Sequence, residues 1–73
     1  MSGVLPSLTP KDVARTPERM GFLLYRQKGS HRIYVKDAAQ VVVPFHTQDI
    51  KKGTLHQIIK GTGISVEEFL KHL

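Results

Sequence analysis

The sequence predicts a small α+β domain with a three-stranded antiparallel sheet and helices packed on one of its faces. The order is α-β-β-β-α, followed by a short C-terminal helix. Three observations carry this reading. Three strand-like runs follow one another between residues 22 and 44, and their connections are too short for the crossovers that parallel pairing requires. Apolar residues at helical spacing flank them on both sides. A chain of 73 residues with no cysteine has room for one domain and one modest core, worth about 3–5 kcal/mol before any staple.

The first helix is announced by Leu8-Thr9-Pro10, with Thr9 as N-cap and Pro10 at the first helical position, where a missing N–H costs nothing. Leu8 and Val13 have the spacing of a hydrophobic staple, and Gly21 is a natural stop. Pro17 complicates the element. Inside a helix it removes a hydrogen bond and crowds the carbonyl of Val13, so a short, kinked or broken helix is expected, with a restart capped by Thr16 as the alternative. The strand-like runs are Phe22–Gln27, His31–Lys36 and Gln40–Val43, with turns at Lys28-Gly29-Ser30 and Asp37-Ala38-Ala39 and a stop at Pro44. Beyond them Leu55, Ile58 and Ile59 form a helical stripe, which Gly61 and Gly63 are expected to end. Ser65 and Glu68 have capping-box spacing, and Phe69, Leu70 and Leu73 supply a last buried stripe. One sheet face is left open to water or a partner.

The net charge is +5, and all of that excess lies between Arg26 and Lys60. A basic central segment suits a polyanion-binding face, with ordinary solubility charge as the alternative. No apolar run is long enough to span a bilayer, and residues 1–6 lack the basic and apolar regions of a signal peptide. The expectation is a soluble, cytoplasmic protein that does not engage a membrane. Without cysteine there are no disulfides or thiolate metal sites, and no His/Asp/Glu set has metal-ligand spacing, so neither metal nor cofactor is expected.

Among the four histidines, His56 and His72 read as solvated or half-packed side chains. His31 stands apart because of its surroundings. It follows the Gly29-Ser30 turn, and Arg26, Lys28 and Arg32 flank it. A glycine there lets a phosphate approach the backbone closely. Imidazole, with a reference pKa of about 6.5, can both take and give a proton near neutrality. Metal-independent RNA cleavage needs such a group: a base removes the 2′-OH proton, the oxygen attacks phosphorus, and cations stabilise the developing charge. From residue types alone, a lone histidine in a basic hairpin is more often a phosphate contact without catalytic work. His46, just past Pro44, is a candidate second proton-transfer group. Lys51-Lys52 opens a helix, where free N–H groups and the positive dipole end favour phosphate; a solvated basic turn is the alternative.

Together these segments resemble the HicA (YcfA-like) toxin family, from about Val13 to Phe69. The resemblance rests on Met20-Gly21-Phe22, Arg26-Gln27-Lys28-Gly29-Ser30-His31, Val43-Pro44-Phe45-His46, Lys52-Gly53-Thr54-Leu55 with Ile58-Ile59-Lys60, and Gly63-Ile64-Ser65 with Glu68-Phe69. It implies a fold like the double-stranded RNA-binding domain, cleavage of messenger RNA, and neutralisation by a HicB-type antitoxin. It places the functional histidine at His31 and a second family histidine at His46. RNA contacts are then expected at Arg26, Lys28, Gly29, Ser30, Arg32, Lys51 and Lys52, in a protein that is monomeric when free. Pro17 departs from the family pattern, which usually has a helix-forming apolar residue there. Tyr34 fills the family's aromatic slot, and strand parity sets it on the face opposite His31 unless a bulge intervenes. Parity alone leaves open which face is the core.

Two other readings share these features. A non-catalytic double-stranded RNA-binding module would use the same fold and the same lysines but leave RNA uncut. A helix-turn-helix DNA binder would use residues 55–73, but its recognition helix would begin with Glu67-Glu68, which repels phosphates.

Overall fold

The computed structural model describes residues 5–73, so only the last part of the segment inspected for a leader lies within it. Its elements run α1 (Pro10–Arg19), β1 (Leu23–Lys28), β2 (His31–Lys36), β3 (Ala39–Pro44), α2 (Lys52–Thr62) and α3 (Val66–Lys71). The sheet is antiparallel with strand order β1-β2-β3. This is the expected α+β architecture, consistent with the double-stranded RNA-binding-domain type.

The first helix begins as its residues dictate. The Thr9 side chain accepts from the Asp12 N–H, and the Asp12 carboxylate accepts from the Thr9 N–H, which closes a capping box. Those hydrogen bonds hold the Asp12 carboxyl below its ordinary pKa. Pro17 does not break the helix: α1 is one continuous run to Arg19, and the restart at Thr16 does not occur. The proline costs α1 the one hydrogen bond to the Val13 carbonyl, and burial of its ring offsets that loss. Thr16, instead of capping, donates its hydroxyl to the Phe69 carbonyl at 3.1 Å and ties α1 to α3. The stop is a Schellman motif: Gly21 adopts φ +96°, its N–H donates to Glu18, and the Phe22 N–H donates to the Pro17 carbonyl at 2.9 Å.

Both strand connections have two residues, and in each only the first takes positive φ: Gly29 at +59° and Asp37 at +54°. That pattern matches a type II′ turn, the hairpin turn that suits strand twist. The core lies on the face of Tyr34, Val41 and Val43, against Val13, Leu55, Ile58, Ile59 and Phe69 of the helices. Ile33, Val35 and Val42 turn to the other face and stay partly or fully exposed. The β1 strand is exposed along its whole length, since α1 and α2 pack chiefly over β3.

Gly61 does not end α2, contrary to the sequence expectation. The helix runs on to Thr62, and Gly63 at φ +82° caps it. Gly61 instead allows close packing: a Cβ there would lie 2.8 Å from Val41 Cγ1 and 3.0 Å from the Gln40 carbonyl oxygen.

Candidate functional site: a basic corner of the sheet

The open face gathers the candidate residues by strand register. His31 begins β2, with Lys28 beside it on β1 and Pro44 beside it on β3. All of Gln27 to His31 is exposed. Arg26 pairs with Ile33 and so joins the His31 face. Simple alternation would have set Arg26 on the same side as Leu24, which pairs with Tyr34. A bulge between Leu24 and Arg26 absorbs one residue and re-aims the arginine. Nothing in the local sequence signals it. The β2 strand carries no such irregularity, so Tyr34 is buried on the core face and His31 is exposed on the open one.

His46 is brought to the same corner by its neighbours. The Phe45 N–H donates to the Ser30 carbonyl, which joins the start of the exit loop to the turn preceding His31. The His46 Nδ1 lies 3.1 Å from the Gln48 carbonyl. A carbonyl only accepts, so Nδ1 donates in this contact, which leaves Nε2 as the ring atom free to exchange a proton. The corner thus presents two exposed imidazoles and the Lys28 ammonium within one turn-and-loop cluster.

Arg32 is not part of this face. It shares the parity of Tyr34, and its guanidinium carbon lies 4.0 Å from the centroid of the Phe45 ring. Its Nε is buried with no hydrogen-bond partner. Tyr34 donates its hydroxyl to Glu18 Oε2 at 3.0 Å. Burial pushes the Tyr34 phenol above its ordinary pKa; the neighbouring Arg32 guanidinium pulls it down, and the Glu18 carboxylate pushes it up. Sequence reading grouped Arg32 with His31 by adjacency and gave Phe45 no role. Parity with Tyr34 was the signal that separates them.

Lys51 and Lys52 are exposed at the start of α2, in the helix layer, and not at the His31 turn. Lys51 is the N-cap with no side-chain hydrogen bond, and the first turn has no acidic residue. A backbone bond from Ile50 to the Leu8 carbonyl, 2.8 Å, fixes where this helix begins. Of the remaining histidines, His56 is exposed on α2, and the His72 Nδ1 lies 2.9 Å from the Glu68 carbonyl. Among the described residues, no three His, Asp or Glu side chains converge as a metal would need, and no helix is long and apolar enough to cross a membrane.

Fold and corner together define a small basic α+β domain, consistent in fold with the double-stranded RNA-binding domain, with an exposed histidine at the rim of its open sheet face. The profile described as HicA toxin of bacterial toxin-antitoxin matches residues 10–64, which include every strand and the whole histidine corner. The chain belongs to the HicA toxin family. A comparison with curated proteins returns no match.

Proposed function

We propose that this toxin is a metal-independent endoribonuclease that cleaves messenger RNA in the cytoplasm, with His31 as its catalytic base or acid. The supporting observation is the placement of His31: exposed at the sheet rim, with Lys28 beside it and the His46 loop hydrogen-bonded to the preceding turn. In the reaction one imidazole takes the 2′-OH proton while O2′ bonds to phosphorus. The P–O5′ bond breaks, and a second group, His46, gives its proton to the leaving 5′ oxygen. Lys28 and Arg26 offset charge on the phosphoryl oxygens, while Gly29 and Ser30 allow the backbone to approach them. Lys51 and Lys52 hold phosphates farther along the strand. A HicB-type antitoxin neutralises the activity, and the free toxin is a monomer.

The test is a His31→Ala variant, assayed for growth arrest and for cutting of a synthetic messenger RNA in excess EDTA. It should abolish both, whereas the unaltered protein should cut in EDTA and leave 5′-hydroxyl ends. An alanine variant that still cleaves would sink the role of His31, and loss of cutting in EDTA would point to a metal. RNA binding without turnover would leave the non-catalytic double-stranded RNA-binding module as the reading.

A further inference from the structure

We infer that Arg32 is a positioning residue that clamps the His46 loop against the His31 turn, and is not an RNA contact. The inference rests on the ribonuclease reading above and deepens it. Three observations carry it. Arg32 follows His31 directly, yet its side chain leaves on the opposite, helix-covered face. Its guanidinium lies 4.0 Å from the centre of the Phe45 ring, so the ring is held through its face. Phe45 is held a second time by its backbone, whose N–H donates to the Ser30 carbonyl. One residue is thus gripped from both sides, and it stands between Pro44, which pairs with His31, and His46.

The buried Nε strengthens the case. It is shut off from solvent with no partner, so RNA cannot reach that edge of the guanidinium. A side chain needed only for packing would be served better without a buried donor. Arg32 also lies beside the Tyr34 phenol, itself bonded to Glu18 of α1. The clamp therefore runs from α1 through the sheet to the loop, and it sets where His46 stands relative to His31.

The experiment uses Arg32→Met, Arg32→Lys and Phe45→Leu in the full chain. Cleavage is measured with each variant alone, and RNA binding with each combined with His31→Ala across a range of salt. Arg32→Met should lower kcat about tenfold or more, as misplaced groups do. RNA affinity and its salt slope should stay unchanged. Arg32→Lys should restore part of the rate, because an ammonium also sits over an aromatic face. Phe45→Leu should reproduce the Arg32→Met loss, and the double variant should add little to either, as two parts of one clamp require. A salt slope reduced by about 0.7 would mark Arg32 as a phosphate contact and overturn the proposal. An unchanged kcat would do the same. If the unaltered toxin cuts no RNA, the ribonuclease reading fails by itself. The clamp is then read from hydrogen exchange of the Phe45 amide, which Arg32→Met should speed about tenfold or more, and unchanged exchange would refute it.

Discussion

Tyr34 shows how one side chain links the core to the site. Its ring is buried on the helix-covered face, and its hydroxyl reaches Glu18. Removing that hydroxyl in Tyr34→Phe should cost about 1 kcal/mol at neutral pH by urea unfolding, as a lost hydrogen bond to a partly solvated carboxylate does. The pH dependence has a definite sign. The folded-state pKa lies above the unfolded value, so the stability tied to the neutral phenol is complete below about pH 10 and is lost as pH rises through the folded value. Tyr34→Phe lacks that loss, so the gap between the two proteins should close above pH 10. A gap that stays constant into alkali would show that the phenol does not titrate with unfolding. The same parity that buries Tyr34 frees His31, and this much was legible from β2 alone. Which of the two faces the helices was not, because Ile33 and Val35 are as apolar as the residues that are covered.

At the scale of elements, the two glycines of α2 make opposite forecasts. Gly53→Ala fills open space in the first turn and should stabilise the protein by about 0.5–1 kcal/mol through helix propensity. Gly61→Ala gains the same propensity but drives a methyl into Val41 and the Gln40 backbone. The net effect should be a loss of about 1–2 kcal/mol, since overpacking against backbone outweighs propensity. Thermal unfolding of both variants decides this; a stabilised Gly61→Ala would mean that α2 shifts away from β3 at little cost. The contrast also explains a sequence error. A glycine near a helix end reads as a stop, and only the 2.8 Å approach to Val41 reveals its packing duty. Pro17 is the converse case. Its chemistry points to disruption of the preceding turn, but its ring is buried and the helix stays continuous. The caps at Thr9 and Ser65 could be read directly, because their partners lie three residues away.

For the whole molecule, the distribution of charge governs association. Most of the cations behind the excess of +5 lie on β1, β2 and the start of α2, so on the proposed function RNA affinity should fall steeply with salt. Lys51→Ala and Lys52→Ala should each weaken binding without sequence preference and reduce the salt slope by about 0.7, with little change in kcat. A slope indifferent to both would remove the α2 start from the RNA path. Leu23, Leu24 and Tyr25 are exposed on the edge strand, where polar replacements should leave stability within about 0.5 kcal/mol.

By itself the sequence determined what depends on near neighbours: the element order, the meander, the caps, the basic middle of the chain and the place of His31 directly after a turn. Each of these is set by contacts within a few residues, or by an ordered set of segments that resembles one family. Tertiary structure decided the rest. It chose the Tyr34 face as core, because α1 and α2 pack over β3 on that side. It turned Arg26 toward His31 through a bulge that no alternation in β1 announces. It separated Arg32 from the histidine beside it and set that arginine over Phe45. Those outcomes depend on pairing between strands and on packing across the sheet, and such contacts leave no mark on local spacing.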